Sequence, residues 1–263
     1  MNMQLLLPTI IAPGVLSIAL LLVSQRFTWL LALLPIAVAL LATVWLEGVT
    51  ITNLAMLDGF WLMALLACAS VALSQIQAKK WAVIALIATS QAVALFLVRR
   101  FADSIEPLAW IVHVLMLVVP SSLLLVPTST KADKHWVFTV LVASIALLAP
   151  IVGLGGSIKM AQMLGALATG AAFIWLAGML QPTLRNLSQA TLLAAQLPAA
   201  WLALSAYHLS GTAAIAVALP AIVWATLLLR NRPLVAQAAV FAVLVGAALV
   251  TGLWLVWPEQ SLY

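Results

Sequence analysis

The sequence predicts an all-α, polytopic transmembrane helical bundle of about ten helices with both ends outside. Three observations carry that prediction. Of 263 residues, 66% are apolar and only 6% are charged, a balance that no water-soluble domain of this length tolerates. From residue 4 to residue 257 the chain is nearly continuous hydrocarbon, cut by polar links such as Gln25-Arg26, Ala78-Lys79-Lys80 and Arg230-Asn231-Arg232. The runs are unbroken rather than alternating, so helices rather than a closed barrel must pair the backbone in hydrocarbon.

At about 20 apolar residues per crossing, the spans fall at 4–23, 27–46, 55–74, 81–98, 106–126, 135–154, 160–180, 188–208, 213–229 and 234–257. The first holds no Lys or Arg before Arg26, so it reads as a retained helix rather than a cleaved signal. Pro120 and Pro150 sit within the fifth and sixth spans, where each removes a backbone hydrogen bond and bends its helix. Gly153, Gly155 and Gly156 follow Pro150 and end the sixth span. The short link Ser210-Gly211-Thr212 folds the eighth and ninth spans into an antiparallel hairpin. Trp29, Trp45, Trp61, Trp81, Trp110, Trp136, Trp254 and Trp257 lie near span ends, as an aromatic belt requires. Trp175, Trp201 and Trp224 fall inside spans and read as packing residues.

Charge sets the orientation. The odd-numbered loops carry Arg26, Lys79, Lys80, Lys131, Lys134, Arg185, Arg230 and Arg232, the even-numbered ones only Arg99, Arg100 and Lys159. Acidic residues lean the other way, with Glu47, Asp58, Asp103, Glu106 and Glu259 against Asp133. By the positive-inside rule the odd loops are cytoplasmic. The same distribution argues against a nucleic-acid partner despite a pI near 9.9, because the positive charges sit one or two to a loop.

Chemistry-bearing residues are few. An ionisable group inside a membrane is costly and points to function by default. His113 is the only one deep within a predicted span; it is read as a neutral imidazole bonded to a neighbouring helix, or as a proton relay. Asp58, in Met56-Leu57-Asp58-Gly59-Phe60, reads first as an interfacial N-cap favoured by the helix dipole. His135 and His208 are interfacial, and Cys68 is a small packing residue. Haem held by His113 and His208 would need a shared depth, which His208 at its boundary does not offer. Three scattered histidines and one cysteine make no metal site, and no cofactor motif is present.

The run from Gly48 to Phe60, Gly-Val-Thr-Ile-Thr-Asn-Leu-Ala-Met-Leu-Asp-Gly-Phe, followed by an Ala/Leu/Ser-rich helix, resembles the start of helix three in the antiporter-like subunits of respiratory complex I and of Mrp-type cation/proton antiporters. Leu6-Leu7-Pro8 is similar to their first helix, and Ala132-Asp133-Lys134-His135-Trp136 to the start of their helix six. The resemblance covers roughly residues 1–155, mostly as hydropathy register. It implies three leading helices in 1–80, a five-helix antiporter-like unit in 81–208 and two closing helices in 209–263 of one integral membrane domain. It also implies residence in a bacterial inner membrane among other integral subunits and lipids.

The departures bear on mechanism. The family's helix-five glutamate falls on His113, and its helix-seven lysine near Phe173-Ile174-Trp175. About ten helices replace some fourteen, so the inverted second unit is cut short. The expectation is an accessory subunit of a proton- or cation-translocating complex, without a full ion path of its own and not an enzyme by itself. A free-standing permease for a small neutral solute is the alternative. An enzyme of lipid or isoprenoid substrates, a third class, would show clustered Asp, His or Arg.

Overall fold

The computed structural model describes residues 10–24, 55–74, 131–180, 189–229 and 232–257, with single positions at 37 and between 81 and 119. Seven α-helices and one 3₁₀-helix organise these residues, and no strand occurs among them. They are α1 (Ala12–Ser24), α2 (Ala55–Ser74), α3 (Lys131–Leu154), α4 (Ile158–Leu180), α5 (Gln189–Ser210), α6 (Ala214–Ala218) and α7 (Leu234–Val256). Helix α6 runs directly into the 3₁₀-helix η1 (Leu219–Leu229). Without water every peptide group must be bonded inside its own segment, and long apolar runs answer that with helix. Among the described residues, three helical stretches, His135–Leu154, Ile158–Ala177 and Leu234–Val256, are long and apolar enough to cross a membrane. The predicted spans 27–46, 81–98 and 106–126 lie largely outside the described residues.

Helices α3 and α4 form the most extensive contact and are joined by a turn of three residues. The turn is built from residues that stop one helix and start the next. Gly156 takes a positive φ of 119°, and the Ser157 N–H reaches back to the Val152 carbonyl at 3.1 Å, closing α3 with a Schellman motif. The Ser157 hydroxyl then accepts from the Met160 N–H at 3.4 Å and caps α4. Helix α3 passes through Pro150 and ends one turn later, with the proline ring exposed. Putting Pro150 near a helix end on the outer face limits the damage from its missing donor.

Around this pair, α5 packs on α2, α3 and α4, while α1 packs on α4. Helix α7 and η1 pack against each other and against α3. The expected hairpin of the eighth and ninth spans does not form. Past Thr212, α6 still packs on α5, but η1 runs along α3 and α7. The reason lies in how the link is bonded. The Thr212 hydroxyl donates to the Gly155 carbonyl at 3.1 Å and lies 3.2 Å from the Ser210 hydroxyl, which donates to the Ala206 carbonyl at 2.7 Å. The α5–α6 turn is thus tied to the α3–α4 turn through the Thr212 hydroxyl, while the Thr212 N–H closes α5 on the Ala206 carbonyl at 3.2 Å.

Helix η1 answers a length problem. Sixteen residues from Ala214 to Leu229 would reach only about 24 Å as α-helix. Five residues at about 1.5 Å and eleven at about 2.0 Å reach about 30 Å, the thickness of the hydrocarbon core. Pro220 sets the change, since it has no N–H for the Ala216 carbonyl and its ring crowds that carbonyl. Burial then follows the 3₁₀ period of three: Ile222, Ala225 and Leu228 are exposed, and the pairs between them are buried.

Candidate functional site

Gly59 and Phe60 lie near the start of α2 and form a docking seat. A Cβ on Gly59 would overlap the indole ring of Trp201 on α5. Phe60 beside it is fully buried, as are Met63, Ala64 and Ala67 one and two turns on. With lipid tails as apolar as the side chains, helices associate through close packing, and small residues let them approach. Helix α2 begins at Ala55, so Asp58 stands in the first turn and not at the N-cap. The expected packing roles of Trp201 and Trp224 hold, at 3% and 1% exposed.

The same construction recurs where the resemblance would put a lysine. The Phe173 ring of α4 lies against Gly14 of α1, 2.8 Å from where a Cβ would stand. Ile174 is buried, and Trp175 packs against the core with its indole N–H buried and without a hydrogen-bond partner among the described residues. An ammonium at this place would replace a ring-on-glycine contact. The third seat joins α7 to α3, where the Ile151 side chain fills the space over Gly252.

At the start of α3, Lys134 is helical and His135 is partly buried. The Thr139 hydroxyl donates to the His135 carbonyl at 2.9 Å, a bond back along the helix. Trp136, expected in the aromatic belt, turns inward and tilts onto Phe241 of α7 with ring centroids 5.2 Å apart. By contrast Trp81, Trp254 and Trp257 are well exposed. His113 and Pro120 lie outside the described residues, although Val112 and Leu115 near them belong to the core or pack on it.

Buried polar residues among those described are Ser17, Ser144, Gln196, Ser205, Thr212, Thr226 and Gln237. None of these types ionises in water's pH range. Ser144 and Thr226 bond to carbonyls of their own helices, Leu141 and Val223, at 2.8 and 2.7 Å. Such bonds satisfy a hydroxyl locally and leave nothing to pass on. The Ser17 and Ser205 hydroxyls are buried with no partner among the described residues. No three His, Cys, Asp or Glu side chains come together there to hold a metal ion.

One feature escaped the sequence reading. Between Ile111, Val112, Leu115 and Val119 on one side and the α6–η1 strip, with Leu219, Ile222 and Leu228, on the other runs an apolar furrow of about 500 Å³. Its signal was Pro220 inside a span too short for an α-helix to cross. What the arrangement can do is bind apolar matter and pack against it. Comparison with family models, with curated proteins and with solved structures finds no match to this chain.

Proposed function

We propose that the chain is an accessory, antiporter-like subunit of a multi-subunit complex in the bacterial inner membrane, linked to proton or cation translocation. In this reading it crosses the bilayer about ten times with both ends outside. It supplies packing surface and, at most, a half-path through His113. The partners are other integral membrane subunits that carry the missing carboxylates and lysines.

The observation that carries the reading is the Phe173–Gly14 seat. Where an ion-pumping relative needs a lysine, this chain uses a large ring to lock two helices together. The buried Ser, Thr and Gln side chains point the same way, since a proton wire through about 30 Å of hydrocarbon needs titratable relays or water held by them.

The test is copurification after mild solubilisation. A stoichiometric particle with other membrane subunits is expected, whereas a lone monomer or homodimer would favour the permease for a small neutral solute. Reconstituted alone with a pH-sensitive dye, the chain should give no protonophore-sensitive flux above empty liposomes. Reporter fusions after Tyr263 should lack cytoplasmic activity. Within the complex, His113→Ala should impair activity more than His208→Ala; equal, negligible effects would remove His113 from the path.

A further inference from the structure

We propose that η1 is an extensible segment that fits its length to the bilayer. It winds as 3₁₀ where the hydrocarbon core is thick, rewinds toward α where the core is thin, and carries the start of α7 with it. The proposal needs only the membrane embedding and not the subunit reading. Eleven residues are a long run for a winding whose hydrogen-bond geometry is poorer than that of the α form and which seldom exceeds three or four residues. Pro220 enforces it only at the start, by lacking an N–H for the Ala216 carbonyl. From Trp224 to Leu229 every residue has an N–H, and a carbonyl of the same segment lies four positions back. Local chemistry leaves the α form open there; the span to be crossed closes it.

Three features let the winding change. Thr226 is the one polar side chain of η1, and its hydroxyl donates to the Val223 carbonyl of the same segment. Among the described residues no side-chain hydrogen bond therefore ties η1 to another helix. Ile222, Ala225 and Leu228 border the furrow, which leaves them room for the turn of about 20° per residue that separates the two windings. The far end is joined to a helix that can follow. The Arg232 N–H donates to the Leu229 carbonyl at 2.8 Å, and the buried Gln237 amide donates to the Arg232 carbonyl at 2.7 Å. Helix α7 beyond this joint buries only Ala248 and Gly252. At about 0.5 Å per residue, rewinding η1 shortens it by about 5 Å.

The experiment is a spin-label distance measurement by pulsed electron–electron double resonance. The full chain carries Cys68→Ala and is purified with whatever subunits accompany it. Labels go on Ala213→Cys and Arg232→Cys, two exposed positions that flank the α6–η1 segment. The protein is reconstituted in thin bilayers of dimyristoleoyl phosphatidylcholine or in thick ones of dierucoyl phosphatidylcholine. The distance is expected to be shorter by about 5 Å in the thin bilayer. A second pair on α7, Val235→Cys with Val250→Cys, is exposed and lies within unbroken α-helix, so its distance should stay the same. A rigid segment meets a thin bilayer by tilting, which leaves its own length unchanged. Equal distances across η1 in the two bilayers would therefore overturn the proposal. So would an equal change in both pairs, since the shortening would then not belong to η1. The state of association does not enter: a lone chain that shortens supports this device while removing the subunit reading.

Discussion

Helices α5 and α7 are nearly equal in length and opposite in surroundings. Every residue of α5 from Ala195 to Ala206 is buried, although the helix carries Gln189, Gln196, Ser205 and His208. Helix α7 is almost wholly apolar, yet only Gln237, Ala248 and Gly252 are buried along it. In water the more apolar helix would be the inner one. Here the order is inverted, because hydrocarbon solvates Val and Leu as well as a protein core does but offers nothing to an amide or hydroxyl. Polarity inside this chain therefore marks the centre, and greasiness marks the rim.

The sharpest way to break the contrast is to remove the ring at the centre. Trp201→Ala should destabilise the detergent-solubilised protein by about 3 to 5 kcal/mol, the usual cost of emptying a buried tryptophan site. Thermal unfolding followed by near-UV circular dichroism would register it, and a change below about 1 kcal/mol would mean that the α2–α5 seat contributes little. From the other side of that seat, Gly59→Ala should cost about 1 to 3 kcal/mol by overpacking. In the Trp201→Ala background the same change should become nearly harmless, since the ring that meets the new Cβ is gone. Additive effects would place the cost of Gly59→Ala elsewhere.

A smaller effect is expected at the joined turns. Thr212→Val keeps the shape and removes the hydroxyl that donates to the Gly155 carbonyl, so about 1 kcal/mol should be lost. Hydrogen exchange at residues 155–157 and 210–213 should rise in that variant and not elsewhere. The smallest effect belongs to the rim. A Cβ on Gly246 of α7 meets nothing within 4 Å, so Gly246→Leu should stay within about 0.5 kcal/mol of neutral or gain slightly from helix propensity. A large loss seen only when the protein is purified together with other chains would show a partner pressed against that face.

Much of the helical outline was legible because its physics is one-dimensional. The span predicted at 55–74 is the helix found, and 234–257 is matched but for its last residue. The glycines after Pro150 end α3, since a positive φ at Gly156 is a local requirement. Where expectation and structure part, the cause is a contact between distant residues. Trp136 left the belt for Phe241, more than a hundred positions on. After Ser210, η1 packs along α3 and α7, and the Thr212 hydroxyl reaches the distant Gly155 carbonyl.

By itself, then, the sequence determined that this chain is built of apolar helices and where most of the described ones begin and end, for a backbone in hydrocarbon has no other partner than itself. Which helix lies inside was decided only by the tertiary structure. Asp58-Gly59-Phe60 looks like a signature in one dimension; in three, its glycine is the space that Trp201 occupies. Phe173 likewise shows its purpose only against Gly14, and the furrow exists only once η1 winds at three residues per turn. Such fits depend on which surfaces meet, and no local pattern of residues encodes the surface on the other side.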